Sequence, residues 1–405
     1  MRRWACWTWL ACCLSLVAGV AAGSGPGRAG QRGLPESFRQ VPSQYYLVAT
    51  DLPDEELGPI LLRLGRMVEE YRRRTMVLSS RADDRRLPFL LFSKQKDYEQ
   101  AGGAADSAGI FDGERLLAFV GKRADARSWH VIQHEAFHQY LAIRLDGQIP
   151  IWLNEGMAEY FGESAFTGDG FISGMIPPWR LQRVQESIRQ HKFPPMREFL
   201  ATSHEQWNKK LSLDNYDQAW SVVQYLAHGE NGRNQDALVR YMQLCSRGLD
   251  PVETFGKCFG DVGGVEQSWQ VYWLSQTAKQ CRPQYALTAV QTACSYLGRF
   301  AAAREVIGSM DQLKERLAAG TLRQPPQNAL PIDLLDEYLK WAAQMGQWNF
   351  QTLPRAGEIE GHVTLSLEDG TKVLGRYIVR AGKVEKVEAW IENGKAVPNK
   401  GGKRR

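Results

Sequence analysis

The spacing of apolar residues changes period several times along the chain, and each change marks out elements. Between Asp54 and Arg74, Leu57, Ile60, Leu61, Leu64, Met67 and Val68 recur three and four apart with charges opposite them, which predicts an amphipathic helix. Tyr45 to Thr50, Leu87 to Phe92 and Arg115 to Val120 are short apolar stretches that read as strands. Asp97 to Gly102 reads as a short helix stopped by Gly-Gly. Ala126 to Leu145 and about Pro150 to Gly162 predict two helices joined by a short turn. The chain stays mainly helical to about Ala278, and residues 282–350 read as helical hairpins ended by the breaker Pro354. The period then drops to two. His362 to Leu367, Lys372 to Val379 and Val384 to Ile391 alternate apolar and polar residues. Asp369-Gly370, Ala381-Gly382 and Asn393-Gly394 supply turns, so a small antiparallel β unit is expected here.

Composition changes this picture mainly at the ends. The chain has 405 residues, 43% of them hydrophobic and 23% charged, enough to bury a core and to fill more than one domain. Its net charge of +5 would suggest nucleic acid, but Arg2, Arg3, Lys400, Lys403, Arg404 and Arg405 all sit at the termini. The fold between them is close to neutral and offers no basic patch, so no nucleic-acid partner is expected. Arg2 and Arg3 precede the apolar run Trp4 to Ala22, which ends in Val20-Ala21-Ala22, the pattern of a secretory signal. The same run, left uncleaved, is also long enough to anchor the chain in a membrane. Either way the protein is expected to be exported, to a periplasmic, cell-envelope or extracellular location. Cys6, Cys12 and Cys13 lie in that run. Cys245, Cys258, Cys281 and Cys294 remain, an even number that in an exported chain suggests two disulfides, with buried thiols as the alternative.

The chemistry concentrates in one stretch. His134-Glu135-Ala136-Phe137-His138 places two imidazoles four residues apart, hence one turn apart on one helix face, where both can offer a nitrogen to one zinc ion. Glu135 lies beside that face, within reach of a water on the metal. The second helix supplies Trp152-Leu153-Asn154-Glu155-Gly156-Met157-Ala158-Glu159-Tyr160. Counting the rise of an antiparallel pair brings Glu155 back to the level of His138, with Glu159 one turn further on. A carboxylate at Glu159 can accept the free N–H of a ligating histidine and fix its tautomer. His130 continues the stripe one turn earlier. Because a catalytic site keeps a position open for water, it is expected to lie outside the ligand set.

These two motifs in this order resemble the gluzincin zinc metallopeptidases, and most of all the peptidase MA-like group of exported bacterial proteins. The resemblance covers roughly residues 42–278 and is strongest over 126–162. It implies an α+β, zincin-like catalytic domain with a small mixed sheet and helices carrying the motifs. It also implies Zn²⁺ on His134, His138 and Glu155, Glu135 as general base, and Glu159 behind the ligands. More weakly, Asn215 to Trp220 resembles the helix carrying a transition-state tyrosine, which would be Tyr216; the alternative is a core residue. The Gly-x-Met-Glu-Asn stretch of the aminopeptidases is missing from residues 80–125, so endopeptidase action on a peptide or protein substrate is implied. The family's substrate-pairing edge strand would be Arg115 to Val120.

The chain thus divides into a signal (1–22), a linker (23–41), a metallopeptidase domain (42–280), a helical region (281–353), a small antiparallel β domain (354–398) and a basic tail (399–405). The expected function is zinc-dependent hydrolysis of peptide bonds. Two alternatives stand: a zinc-retaining, non-catalytic binding or structural protein of the cell envelope, and a zinc hydrolase of non-peptide substrates.

Overall fold

The computed structural model describes residues 37–75, 85–120, 125–145, 147–322, 346–355 and 357–392, with a few further positions between 324 and 338. The expected signal, most of the linker and the basic tail lie outside the described residues. Two strands, β1 (Arg39–Pro42) and β2 (Tyr46–Thr50), lead into helix α1 (Asp54–Arg74), followed by β3 (Leu87–Phe92), α2 (Gln95–Gln100), β4 (Gly109–Phe111) and β5 (Leu116–Phe119). The helices α3 (Ala126–Arg144) and α4 (Ile151–Gly162) come next, then a hairpin of β6 (Ala165–Phe166) and β7 (Phe171–Ile172). A helical run follows: α5 (Pro178–Arg189), α6 (Met196–Leu200), α7 (His204–Lys209), α8 (Leu213–His228), α9 (Gln235–Ser246), α10 (Pro251–Phe259), α11 (Val262–Ser275), α12 (Ala278–Ala302) and α13 (Met310–Ala318). The chain ends in β8 (Gly346–Arg355), β9 (Glu358–Leu367), β10 (Lys372–Arg380) and β11 (Lys383–Ile391). The class is mixed α+β, with one mixed sheet, many helices and a C-terminal antiparallel sheet. No helix among the described residues is long and apolar enough to cross a membrane.

The chain forms two compact units. The first comprises residues up to Pro53, Val68–Ser164 and Ile176–Gln276; the second comprises Asp54–Met67, Ala165–Met175 and Thr277 onward. In the first unit five strands lie in the order β1-β2-β3-β5-β4. β2, β3 and β5 are parallel, and the two flanking strands run antiparallel to their neighbours. This corrects two expectations. The linker does not extend to residue 41, because Arg39–Pro42 pairs with β2; Pro42 is tolerated because β1 is an edge. Arg115 to Val120 is not the edge, since β5 lies between β3 and β4. The edge on that side is the three-residue β4, too short to leave a periodic signal.

Against the sheet, Ala49, Leu90, Phe92, Tyr98 and Leu117 form an apolar cluster. Tyr71, near the end of α1, packs on Phe137, Tyr140 and Phe161 and donates its hydroxyl to Gln133 O at 2.5 Å, tying α1 to α3. Asp125 caps α3 by accepting from Ser128 N. The amide of Gln133 donates to Phe161 O, Gly162 O and Ser164 O, satisfying carbonyls that the end of α4 leaves without helical partners. Gly156 lets α4 lie against α8, because a Cβ there would fall 2.6 Å from Ala219 O.

In the second unit, α12 packs on β9, β10 and β11. Val363, Leu365, Val373, Tyr377 and Val379 form the buried side of the sheet, and Gly375 admits the Cys294 thiol. The helical and β regions expected as separate domains therefore belong to one unit, and the sheet gains a strand over Gly346–Arg355, where helix was expected. Trp348 and Phe350 alternate with polar residues there. Pro354 sits in an edge strand that needs no outward N–H from it, pairing with Ile359, and does not break the element.

The two expected disulfides are absent: Cys245, Cys258, Cys281 and Cys294 are free thiols. Cys281 and Cys294 share α12, where thirteen positions separate them by roughly 20 Å, far beyond disulfide reach. Burial pushes the Cys245 thiol up to about 11, an unreactive environment.

Candidate metal centre

The site is built in the first unit by two consecutive helices. α3 presents His130, His134 and His138 one turn apart, and α4 returns with Glu155 and Glu159 one turn apart and Glu163 a turn further on at its C-cap. The Nε2 atoms of His134 and His138 lie 3.0 Å apart. Glu155 Oε2 is 3.4 Å from His134 Nε2, and its Oε1 is 3.7 Å from His138 Nε2. Ligand atoms on a tetrahedral ion with bonds of ~2.0–2.1 Å stand about 3.3 Å apart. The three donors span such a triangle.

The hydrogen bonds behind them say which atoms face the centre. His134 Nδ1 lies 3.1 Å from Glu159 Oε1, and an ionised carboxylate only accepts, so this nitrogen carries the proton. His138 Nδ1 lies 3.1 Å from Asn154 Oδ1 and donates in the same way. Both Nε2 atoms therefore face each other and the Glu155 carboxylate. The cluster needs positive charge at its centre: burial opposes a proton on His134, yet the Glu155 and Glu159 carboxylates hold one there well above the ordinary imidazole range, and a divalent metal would supply the same charge in its place. Zinc fits this set of two imidazoles and one carboxylate in number, spacing and tautomer. Asn154 carried no signal in the sequence beyond its place beside Glu155.

Glu135 is buried beside this triangle. Its Oε2 accepts from the backbone N–H of Phe111 on β4 at 2.9 Å. Burial raises the pKa of Glu135, with His134, His138 and the Phe111 N–H acting in the opposite direction. On β4 the groups of Ala108 and Asp112 bond toward β5, so those of Gly109 and Phe111 point to the open edge. The Ser107 hydroxyl meets both the N–H and the C=O of Gly109. The edge and the carboxylate are thus joined by one hydrogen bond.

Behind the histidines lies a buried charge network. Arg180, 2% exposed, places Nη1 2.6 Å from Glu159 Oε2 and 2.8 Å from Glu163 Oε1. Its Nε donates to Asp217 Oδ1 at 2.9 Å, and Arg183 grips the same carboxylate through Nε and Nη2. Burial alone would raise Glu159, but the charges of Arg180 and His130 outweigh it and hold the carboxyl well below the usual range. Burial likewise opposes ionisation of Glu155, yet His138 and His134 beside it bring its pKa down to about 2. Arg180 lies on α5, beyond both motifs, and carries no periodic or motif signal of its own.

His130 lies 3.6 Å from Glu159 Oε1 and 3.8 Å from Glu163 Oε1, outside the triangle. His130, His134 and Glu159 also form a triad spaced for a cation, but the Arg180 guanidinium against Glu159 already supplies positive charge there. Tyr216 meets the network through its backbone carbonyl, which accepts from Arg180 Nη2 at 3.4 Å, while its ring packs edge-on against Trp207.

Residues 128–253 match a family model described as a protein of unknown function (DUF1570). The matched stretch contains both motifs, Arg180, Tyr216 and Asp217. A search of the curated proteins finds no match.

Proposed function

We propose that the protein is an exported zinc-dependent peptidase with a zincin-like catalytic domain of the gluzincin type, acting on internal bonds of a peptide or protein. The observation that carries this reading is the convergence of His134 Nε2, His138 Nε2 and Glu155 on one point, with both Nδ1 atoms committed to Asn154 and Glu159. Bound there, zinc would act as a Lewis acid and bring the pKa of a water toward neutrality. Glu135 takes the proton of the attacking water and returns it to the leaving amine. The Phe111 N–H fixes one of the Glu135 oxygens and leaves the other for this task. A substrate would lie beside β4, the edge strand next to this carboxylate. No step is assigned to Tyr216, whose ring packs on Trp207.

The non-catalytic alternative needs the triangle but not Glu135. A buried carboxylate aimed by a sheet edge is an unfavourable feature to keep without use, which favours the catalytic reading. The test is metal content together with digestion of an unbiased peptide pool. Cleavage that a chelator abolishes and zinc restores supports the reading; a metal-loaded protein that cleaves nothing overturns it.

A further inference from the structure

Glu155, Glu159 and Glu163 stand in one row along α4 and its C-cap, each one turn from the next, and all three are at least largely buried. Like charges at this spacing repel, and burial sharpens the repulsion. The row needs a counter-charge besides the histidines, and Arg180 supplies it with Nη1 between Glu159 and Glu163. The guanidinium is itself held from a third helix. Asp217 on α8 accepts from its Nε, Arg183 braces Asp217 from the far side, and the plane lies 4.5 Å over the Trp220 ring. The two oxygens of Glu159 then have separate tasks: Oε2 receives Arg180 and Oε1 receives His134 Nδ1.

We infer that Arg180, anchored by Asp217, is a positioning residue for the metal: it holds the Glu159 carboxylate in the orientation that keeps His134 Nε2 free for the ion, and so sets metal affinity from outside the ligand set. This rests on the zinc reading above. Partners of this kind change metal affinity by about 10- to 100-fold when removed.

The test is a zinc titration against a chromophoric chelator on the full chain, with the absorption spectrum of the cobalt-substituted protein as a second readout. Thermal unfolding of the metal-free proteins establishes that each variant folds. Glu159→Gln and Arg180→Gln are each expected to weaken zinc by about 10- to 100-fold, with the double variant no weaker than Glu159→Gln alone. Arg180→Lys is expected to recover part of the loss, and both glutamine variants to shift the cobalt spectrum. If Arg180→Gln does not fold, Asp217→Asn and Arg180→Lys carry the test, each expected to weaken zinc by a smaller factor. Folded Arg180→Gln, or in its place folded Asp217→Asn and Arg180→Lys, with wild-type affinity overturns the inference alone. So do losses that multiply in the double variant, since Arg180 would then act apart from Glu159. Wild-type protein that takes up no zinc overturns the metal reading and this inference with it.

Discussion

The backbone N–H of Phe111 donates to Glu135 Oε2 at 2.9 Å, so the strand at the sheet edge orients the carboxylate that lies between the two histidines in sequence. The contact joins residues twenty-four positions apart and explains why the acid is fixed although it is no ligand. A similar division holds on the other side of the site, where Asn154 and Glu159 flank Glu155 and each serves one histidine.

Asn154 accepts from His138 and touches no metal on the proposed reading. Asn154→Ala is expected to leave the fold intact and to weaken zinc by about 10-fold or more, because His138 loses the acceptor that fixes its tautomer. Chelator competition measures the loss. Affinity equal to wild type would mean that the tautomer is set by something other than this contact.

His228 gives the fold a pH dependence independent of the metal. Its ring stacks on Tyr160 and its Nε2 lies 2.8 Å from the Tyr160 hydroxyl. Burial, helped by Arg74 and Arg73, brings its pKa from 6.5 down to about 3. Between those values the unfolded chain binds a proton that the folded one excludes, so stability rises with pH through this window and falls as pH drops through it. His228→Phe is expected to flatten the slope of unfolding temperature against pH between about pH 5 and 6.5, above the range where carboxylates titrate. An unchanged slope would contradict the buried neutral state.

Gly156 follows Glu155, a zinc ligand on the proposed reading, and carries the contact between α4 and α8. Gly156→Ala puts a methyl 2.6 Å from Ala219 O, so the helices must separate. A loss of about 1–3 kcal/mol is expected in urea unfolding, together with weaker zinc binding as Glu155 shifts. Wild-type stability would show that the two helices adjust without strain.

Much of the site was legible because it obeys helical arithmetic. His134, His138, Glu155 and Glu159 follow from four-residue spacing on two helices joined by a short turn, and the structure brings all four together. Phe111 and Arg180 were not legible, because their contacts depend on how β4 and α5 pack and leave no periodic trace. The C-terminal strands were readable wherever alternation met a turn signal. The exception is β8, whose Pro354 reads as a breaker until the sheet shows it at an edge. The disulfides were expected from an even count alone, and a count carries no distances.

The zinc-peptidase reading is tested most directly by mass-spectrometric digestion of an unbiased peptide pool with zinc-loaded wild type and Glu135→Gln side by side, metal content measured on both. Wild type is expected to cleave internal peptide bonds. Glu135→Gln, which keeps His134, His138 and Glu155, is expected to hold the same zinc and to cleave at least about 100-fold more slowly. Cleavage by Glu135→Gln at the wild-type rate, or none by zinc-loaded wild type, would contradict it.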